Sequence, residues 1–339
     1  MHDPRSPQDW EALFPEVDPR RAAERLRGVV RRTPLQAFPA GDPRVELRLK
    51  LECLQETKAF KARGAWNQLA QLTPAERARG VVTVSSGNHA GAVAWAARRA
   101  GVEATVCMPA DAYPNKIEAC RAQGAEVVLS PDRAASEAAV QERTAAGAVL
   151  VHPYDAARTA EGAGTVGLEI AEDWPEVELV LIPIGGGGLA AGSSLALRRA
   201  LGAGVQVWGV EPVGAPTMTL GLREGRPVRL ERITTQVQGL CPPAAGALTV
   251  AICARTLDGV LTLEDPPILA AQARLVREGG WTVEPAGAAA PAVVFAGLIP
   301  PALLEGRSAA DPLRVAAVVS GGNPDPEQLA GLRRGGQLA

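Results

Sequence analysis

Lysine is the scarcest charged residue of this chain. Of 35 basic residues only Lys50, Lys58, Lys61 and Lys116 are lysines. The rest are arginines, whose guanidinium stays protonated and forms no imine. A nucleophilic amine therefore has four candidates. Aromatics are also few, at 4%, and the net charge is -2 with both signs spread along the chain. That combination excludes the stacking platforms and basic face that nucleic-acid binding requires. The five cysteines, Cys53, Cys107, Cys120, Cys241 and Cys253, are odd in number and never form a C-x-x-C pair. They argue against a disulfide framework or a zinc site, and for buried thiols in a reducing compartment. The segment Met1 to Glu16 is polar and lacks the apolar core of a signal peptide, so a cytoplasmic location is expected. Pro285 to Leu304 carries no charge and has about the length of a membrane span. Pro285, Pro291, Pro300 and Pro301 interrupt it, so it reads as a buried helix, with no membrane partner.

With 339 residues at 47% hydrophobic, the chain is long enough for two lobes with a sizeable core. Asp18-Pro19, Thr73-Pro74 and Asp265-Pro266 each read as a helix start, with a capping side chain ahead of a proline. Val45, Leu47, Leu49 and Leu51 alternate with Glu46, Arg48, Lys50 and Glu52, which predicts a strand with one wet face. Lys50 falls on that face and reads as solvated; Lys116 reads as a surface residue near a helix start. From Val81 onward, short apolar strands alternate with helices. That rhythm predicts an α/β fold of two open parallel twisted sheets with helices on both faces. The loop His152-Pro153-Tyr154-Asp155 marks a lobe boundary. Residues 1–79 with 154–339 are expected to form a large lobe, and 80–153 a small one inserted in it.

Three clusters stand at strand ends. Gly185, Gly186, Gly187 and Gly188 lie between a strand and a helix, where backbone N–H groups can wrap a phosphate. Gly185, Gly187 and Ala190 also fit the dinucleotide pattern G-x-G-x-x-[GA], with Glu211 placed to meet a ribose. A nicotinamide-dependent dehydrogenase is one reading; pyridoxal phosphate, which needs a lysine, is the other. Ser85-Ser86-Gly87-Asn88-His89 offers hydroxyls, N–H groups and an amide, though Ser86 could be an ordinary helix cap. Ser320-Gly321-Gly322-Asn323 is the third. Ligands of open α/β sheets bind at the carboxyl ends of strands, so all three can share one crevice. A dehydrogenase leaves Lys61 and two of the clusters unexplained.

Gln55-x-Thr57-x-x-Phe60-Lys61-x-Arg63-Gly64-Ala65 resembles the lysine motif of the fold-type II (tryptophan synthase β-like) pyridoxal-phosphate enzymes, in the threonine/serine dehydratase and serine racemase branch. Ser86-Gly87-Asn88-His89, the tetraglycine loop, Glu284-Pro285-x-Gly287 and Ser320-Gly321-Gly322-Asn323 follow in the family's order. The resemblance implies that Lys61 carries the cofactor as a Schiff base and serves as the base at Cα. It implies that Phe60 packs near the ring, and that Asn88 bonds the ring's phenolic oxygen. Gly185 to Gly188 would hold the phosphate, Ser320 the ring nitrogen, and Glu284 would lie near the ring and the substrate side chain. Ser85, Ser86, Gly87 and His89 would receive the substrate carboxylate. A hydroxyl partner such as Ser320 does not need a protonated ring nitrogen, and a less electron-withdrawing ring favours early loss of a β-substituent. The implied activity is β-elimination from threonine or serine, giving a 2-oxo acid and ammonia. Serine racemase, hydroxyaspartate dehydratase and β-replacing synthases are the alternatives, with a non-catalytic ligand-binding relative behind them. The expected partner is a small amino acid, and the family expectation is a homodimer.

Several positions depart from the pattern. Lys58 and Ala59 stand where the family usually has Gly and Ser, which places a second cation beside Lys61 or sends it to solvent. Gly162-Ala163-Gly164-Thr165 replaces the common Gly-Gln-Gly-Thr. Glu211 and Ala215 match two ligands of the racemase branch's divalent cation, but Thr217 stands where a further acid belongs. Ser86 permits racemisation without requiring it. With the chain ending at Ala339, a regulatory domain of the biosynthetic threonine dehydratases is not expected.

Overall fold

Two sheets organise the computed structural model, which describes residues 9–334. The strands, in chain order, are β1 (Leu35–Phe38), β2 (Val45–Leu51), β3 (Val81–Val84), β4 (Ala104–Pro109) and β5 (Glu126–Ser130). β6 (Val149–Leu150), β7 (Leu179–Pro183), β8 (Gln206–Pro212), β9 (Gly259–Leu263) and β10 (Leu313–Val319) complete them. The larger sheet has the order β1-β2-β10-β7-β8-β9 and the smaller β5-β4-β3-β6. All pairings are parallel except β1 with β2. Parallel strands need crossovers, and helices supply them on both faces. The expected α/β architecture is therefore what the chain adopts.

Local capping rules explain several helix starts. Asp18 accepts from the N–H groups of Arg20 and Arg21 ahead of the helix Pro19–Leu26. Thr73 and Glu76 form a reciprocal capping box on Pro74–Arg79. Asp265 does not act as the cap expected of it. It is the first residue of Asp265–Arg277, and its carboxylate instead accepts from Thr235 Oγ1 and the Gln236 N–H, both at 2.6 Å. The segment Pro285–Phe295 is a buried helix with Pro291 inside it. Among the described residues, no helix is long and apolar enough to cross a membrane.

Lys50 is not on a wet face. Its side chain is fully buried, and its ammonium donates to Glu169 at 2.6 Å and to the Thr33 carbonyl at 2.7 Å. Arg63, also fully buried, completes the network with paired bonds to Glu52 (2.8 and 2.8 Å) and to Glu169 (2.7 and 2.9 Å). Two cations thus face two carboxylates, as burial of charge requires. The alternation in β2 holds for Glu46 and Arg48, which stay part-exposed, and misleads at Lys50, where the helix Ala157–Asp173 brings Glu169 over the strand.

That helix also explains the small residues near Gly162. A Cβ on Gly162 would press on the backbone of Arg63 and Gly64, and one on Gly164 on the Gly192 carbonyl. The helices Lys61–Leu69, Ala157–Asp173 and Gly188–Leu201 therefore approach backbone to backbone. Thr165 lies beneath, its hydroxyl accepting from Arg63 at 3.0 Å.

Candidate active site

Lys61 is the first residue of Lys61–Leu69. The segment before it is pinned to the loop after β10. Ala59 bridges Gly321, the Phe60 N–H donates to the Ser320 carbonyl at 3.1 Å, and the Gly322 N–H to the Lys58 carbonyl at 2.7 Å. The Lys61 ammonium donates to the Pro153 carbonyl at 2.6 Å and lies 5.0 Å from the centre of the Phe60 ring. Burial with no carboxylate partner lowers its pKa to about 8. Lys58 takes no part in this. It is exposed to solvent and sits at φ 57, in the left-handed region.

The residue after Pro153 covers the glycine loop. A Cβ on Gly186 would run into the Tyr154 ring, and Gly187, at φ +95, faces Met218 and Thr249. Gly187 caps Gly188–Leu201 with no side chain in the way. The result is an anion cradle of free N–H groups at a helix start. Asp155 secures the facing wall by accepting from the Ala247 and Leu248 N–H groups at 3.0 and 2.9 Å.

Beyond β3 the helix Asn88–Ala100 begins. Gly87, not Ser86, occupies the cap position, without a side-chain bond, so Ser86 stays exposed at the mouth of the cleft. Ser85 Oγ turns back to accept from the Gly87 N–H at 3.2 Å. Asn88 donates to Glu284 Oε1 at 2.5 Å and accepts from Asn323 Nδ2 at 2.8 Å. Glu284 is buried, and desolvation raises its pKa despite the nearby ammonium of Lys116 and the bond from Asn88. A Cβ on Gly321 would collide with the Glu284 carboxylate, and one on Gly287 with the Gly321 carbonyl. Ser320 is buried, and its hydroxyl donates a long 3.3 Å bond to the Ala286 carbonyl. His89 turns inward instead of lining the mouth. Its Nε2 faces the Val151 carbonyl at 3.0 Å, and burial, with Lys61 nearby, lowers its pKa to about 3. A carbonyl only accepts, so Nε2 carries the proton and His89 is neutral.

A cavity of about 480 Å³ opens beside these groups, lined among others by Ser86, Asn88, Lys116, Gln238, Glu284 and Asn323. Lys61 and the glycine loop are not in its lining; the Phe60 N–H to Ser320 carbonyl bond ties the lysine segment to the strand end that leads on to Asn323, which lines it. Lys116 corrects its reading as a surface residue. Its Nζ donates to the Asn323 carbonyl at 2.9 Å, and desolvation lowers its pKa. The signal was present in the sequence: Pro114–Ala122 is the helix after β4, so its start is another strand carboxyl end. Pro153 and Tyr154 follow β6 in the same way, in the loop that the sequence marked only as a lobe boundary.

The Glu211 carboxylate turns to the chain itself. It accepts from the Met218 and Thr219 N–H groups at 2.7 and 2.9 Å and from the Thr219 hydroxyl at 2.8 Å. It thereby caps Thr217–Glu224, a helix the sequence did not reveal. Ala215 is buried as well. Among the described residues no cluster of His, Cys, Asp or Glu could hold a metal. A lysine amine with a lowered pKa and a cradle that a side chain would fill fit pyridoxal phosphate, which has one aldehyde and one phosphate.

Residues 26–321 match the family of pyridoxal-phosphate dependent enzymes. The chain is 39% identical to an L-threonine ammonia-lyase of Thermotoga maritima, over 92% of this chain and 76% of that protein. It is 37% identical to a phenylserine dehydratase of Ralstonia pickettii, over 90% and 92% respectively. Maize serine racemase has a similar structure, with a TM-score of 0.83 at 32% identity over 92% of this chain and 94% of that one. Sequence, sheet order and the lysine beside its glycine cradle agree, and the chain belongs to the fold-type II family of pyridoxal-phosphate-dependent enzymes.

Proposed function

We propose that this protein is an ammonia-lyase acting on β-hydroxy amino acids, with threonine and serine as the first substrates to assay. It would release a 2-oxo acid and ammonia; the water expelled from Cβ is regained on hydrolysis, so atoms balance. The observation that carries this reading is the Lys61 amine, held at a helix start against the Pro153 carbonyl with its pKa near 8. A group with that pKa can bind a carbonyl and later take a proton at neutral pH.

Pyridoxal phosphate supplies an electron sink for the bond broken at Cα. The chain supplies the rest. In this reading Gly185 to Gly188 hold the phosphate, Asn88 offers an N–H to the ring oxygen, and Ser320 meets the ring nitrogen with a neutral hydroxyl. Phe60 packs beside the ring, and Glu284 lies near it. Ser85, Ser86 and Gly87, at the start of Asn88–Ala100, receive the substrate carboxylate. Lys61 Nζ removes the α-proton. His89, neutral and turned to Val151, holds this loop from behind.

The cavity lining carries Glu284 and Asp325 against the single ammonium of Lys116. That balance disfavours a substrate with a second carboxylate, so 3-hydroxyaspartate should turn over less efficiently than L-threonine. Serine racemase stays as a second reading because Ser86 is exposed at the cleft mouth, free of any capping role. Residues 1–79 with 154–339, and 80–153, are proposed as the two lobes, since β3 to β6 all fall within the second segment. A cytoplasmic homodimer fits this reading; sedimentation of the holoenzyme tests the dimer.

The test is reconstitution with pyridoxal phosphate followed by absorbance and product assays. A visible band lost in Lys61→Ala, and 2-oxo acid formed from L-threonine or L-serine, are expected. D-serine formed from L-serine in excess of pyruvate would favour the racemase. A reconstituted protein without a Lys61-dependent band would overturn both.

A further inference from the structure

Asn323 joins four segments that meet at the cleft. Its Nδ2 donates to the Thr57 carbonyl at 3.0 Å and to Asn88 Oδ1 at 2.8 Å. Its backbone N–H points to Glu284 Oε2 at 3.3 Å, and its carbonyl accepts from Lys116 at 2.9 Å. The two ends of an amide are set by the network around them. Here the network has a fixed end. The Thr57 carbonyl can only accept, so the Asn323 group facing it must be the NH2. The same NH2 then reaches Asn88, so Asn88 must turn its oxygen to Asn323 and its own NH2 to Glu284.

We propose that Asn323 is a positioning residue for the cofactor: through the Thr57 carbonyl it locks the Asn88 amide so that Asn88 can present only an N–H to the ring oxygen of pyridoxal phosphate. Asn88 has two N–H groups. One is spent on Glu284; the other has no partner among the described residues. If Asn88 turned over, its oxygen would face the Glu284 carboxylate and its NH2 would face the NH2 of Asn323. Both contacts repel. Lys116 adds a second anchor, drawn from the helix Pro114–Ala122, by holding the Asn323 backbone. This inference rests on the role given above to Asn88.

Asn323→Asp reverses the lock, because a carboxylate offers only acceptors. Asn88 then turns its NH2 to Asp and loses the donor aimed at the cofactor. The holoenzyme variant should show its visible band moved to shorter wavelength, as the ring oxygen loses a donor and keeps a proton. Pyridoxal phosphate should bind about tenfold more weakly in a titration followed by absorbance. In an Asn88→Ala background the same change should alter the dissociation constant less than about twofold. A role in folding alone would lower the melting temperature without coupling to Asn88. An unmoved band with unchanged affinity, or an equal loss in both backgrounds, overturns the proposal. Should Asn323→Asp fail to fold, Asn323→Ala removes the lock without a charge. It is expected to weaken cofactor binding in the same Asn88-dependent way, and parental affinity there also overturns the proposal. A parent protein without a Lys61-dependent band defeats the cofactor reading itself, whereas a normal parent with an indifferent Asn323 variant defeats only this one.

Discussion

Lys58 and Lys61 stand three residues apart and are under opposite constraints. Lys58 sits at φ 57, where a Cβ crowds the backbone and glycine does not. Glycine is the residue the family resemblance leads one to expect there, and the backbone supplies the reason. Lys58→Gly should stabilise the protein by about 1 kcal/mol in urea denaturation, the relief of strain exceeding the added chain entropy. Lys61 is costly for another reason. Its pKa falls from the ordinary 10.5 to about 8 on folding. Below pH 8 it is charged in both states, and the cost of burying the charge is fully present. Between pH 8 and 10.5 the unfolded chain binds more protons than the native one, so stability rises with pH and the cost disappears. Cofactor-free Lys61→Met should therefore be more stable than the parent by about 2 kcal/mol at pH 7. The gap should close by pH 10.5. An equal gap at both pH values would rule out this origin. Some of this was legible beforehand. The capping box at Thr73 and Glu76 closes within one turn, so four residues suffice to see it. Lys50 was not legible, because Glu169 lies 119 residues away in sequence and nothing near β2 announces it.

At the scale of elements, the chain relies on helices that touch through glycine. A Cβ on Gly192 would overlap the Ala160 carbonyl and press on the Gly164 backbone. Backbone cannot rotate aside as a side chain does, so Gly192→Ala should cost about 3 kcal/mol or more, measured by denaturation of the cofactor-free protein. The buried charges beneath are equally intolerant. Arg63→Met leaves Glu52 and Glu169 facing one another with only Lys50 between them. That change should destabilise by about 3–5 kcal/mol, and because Arg63 lies on Lys61–Leu69 it should weaken cofactor retention too. Gel filtration of the reconstituted variant, with absorbance read across the protein peak, checks the second effect. Element order was readable from the βα rhythm, since strand and helix periods are local. The Thr217–Glu224 helix was not, because what starts it is the carboxylate of Glu211 at the end of β8, outside the helix itself.

For the whole molecule, the strand-end rule gathers most of the cleft from sequence alone: Ser86 and Asn88 after β3, Gly185 to Gly188 after β7, Ser320 to Asn323 after β10. Pro153 and Tyr154 also follow a strand, β6, but read only as a lobe boundary, because their contacts with Lys61 and Gly186 depend on distant parts of the chain. The glycine contacts near the centre have one more consequence. The lysine stands on a helix, and the carbonyl that receives it and the glycine loop each lead into one; these three helices are fastened backbone to backbone, while the cavity lining comes from loops such as Thr235 to Gly239 and from the helix bearing Lys116. A lineage can redraw the second set without disturbing the first. Heritable change in what the enzyme accepts is thereby channelled to the rim, and the centre is left to be inherited whole.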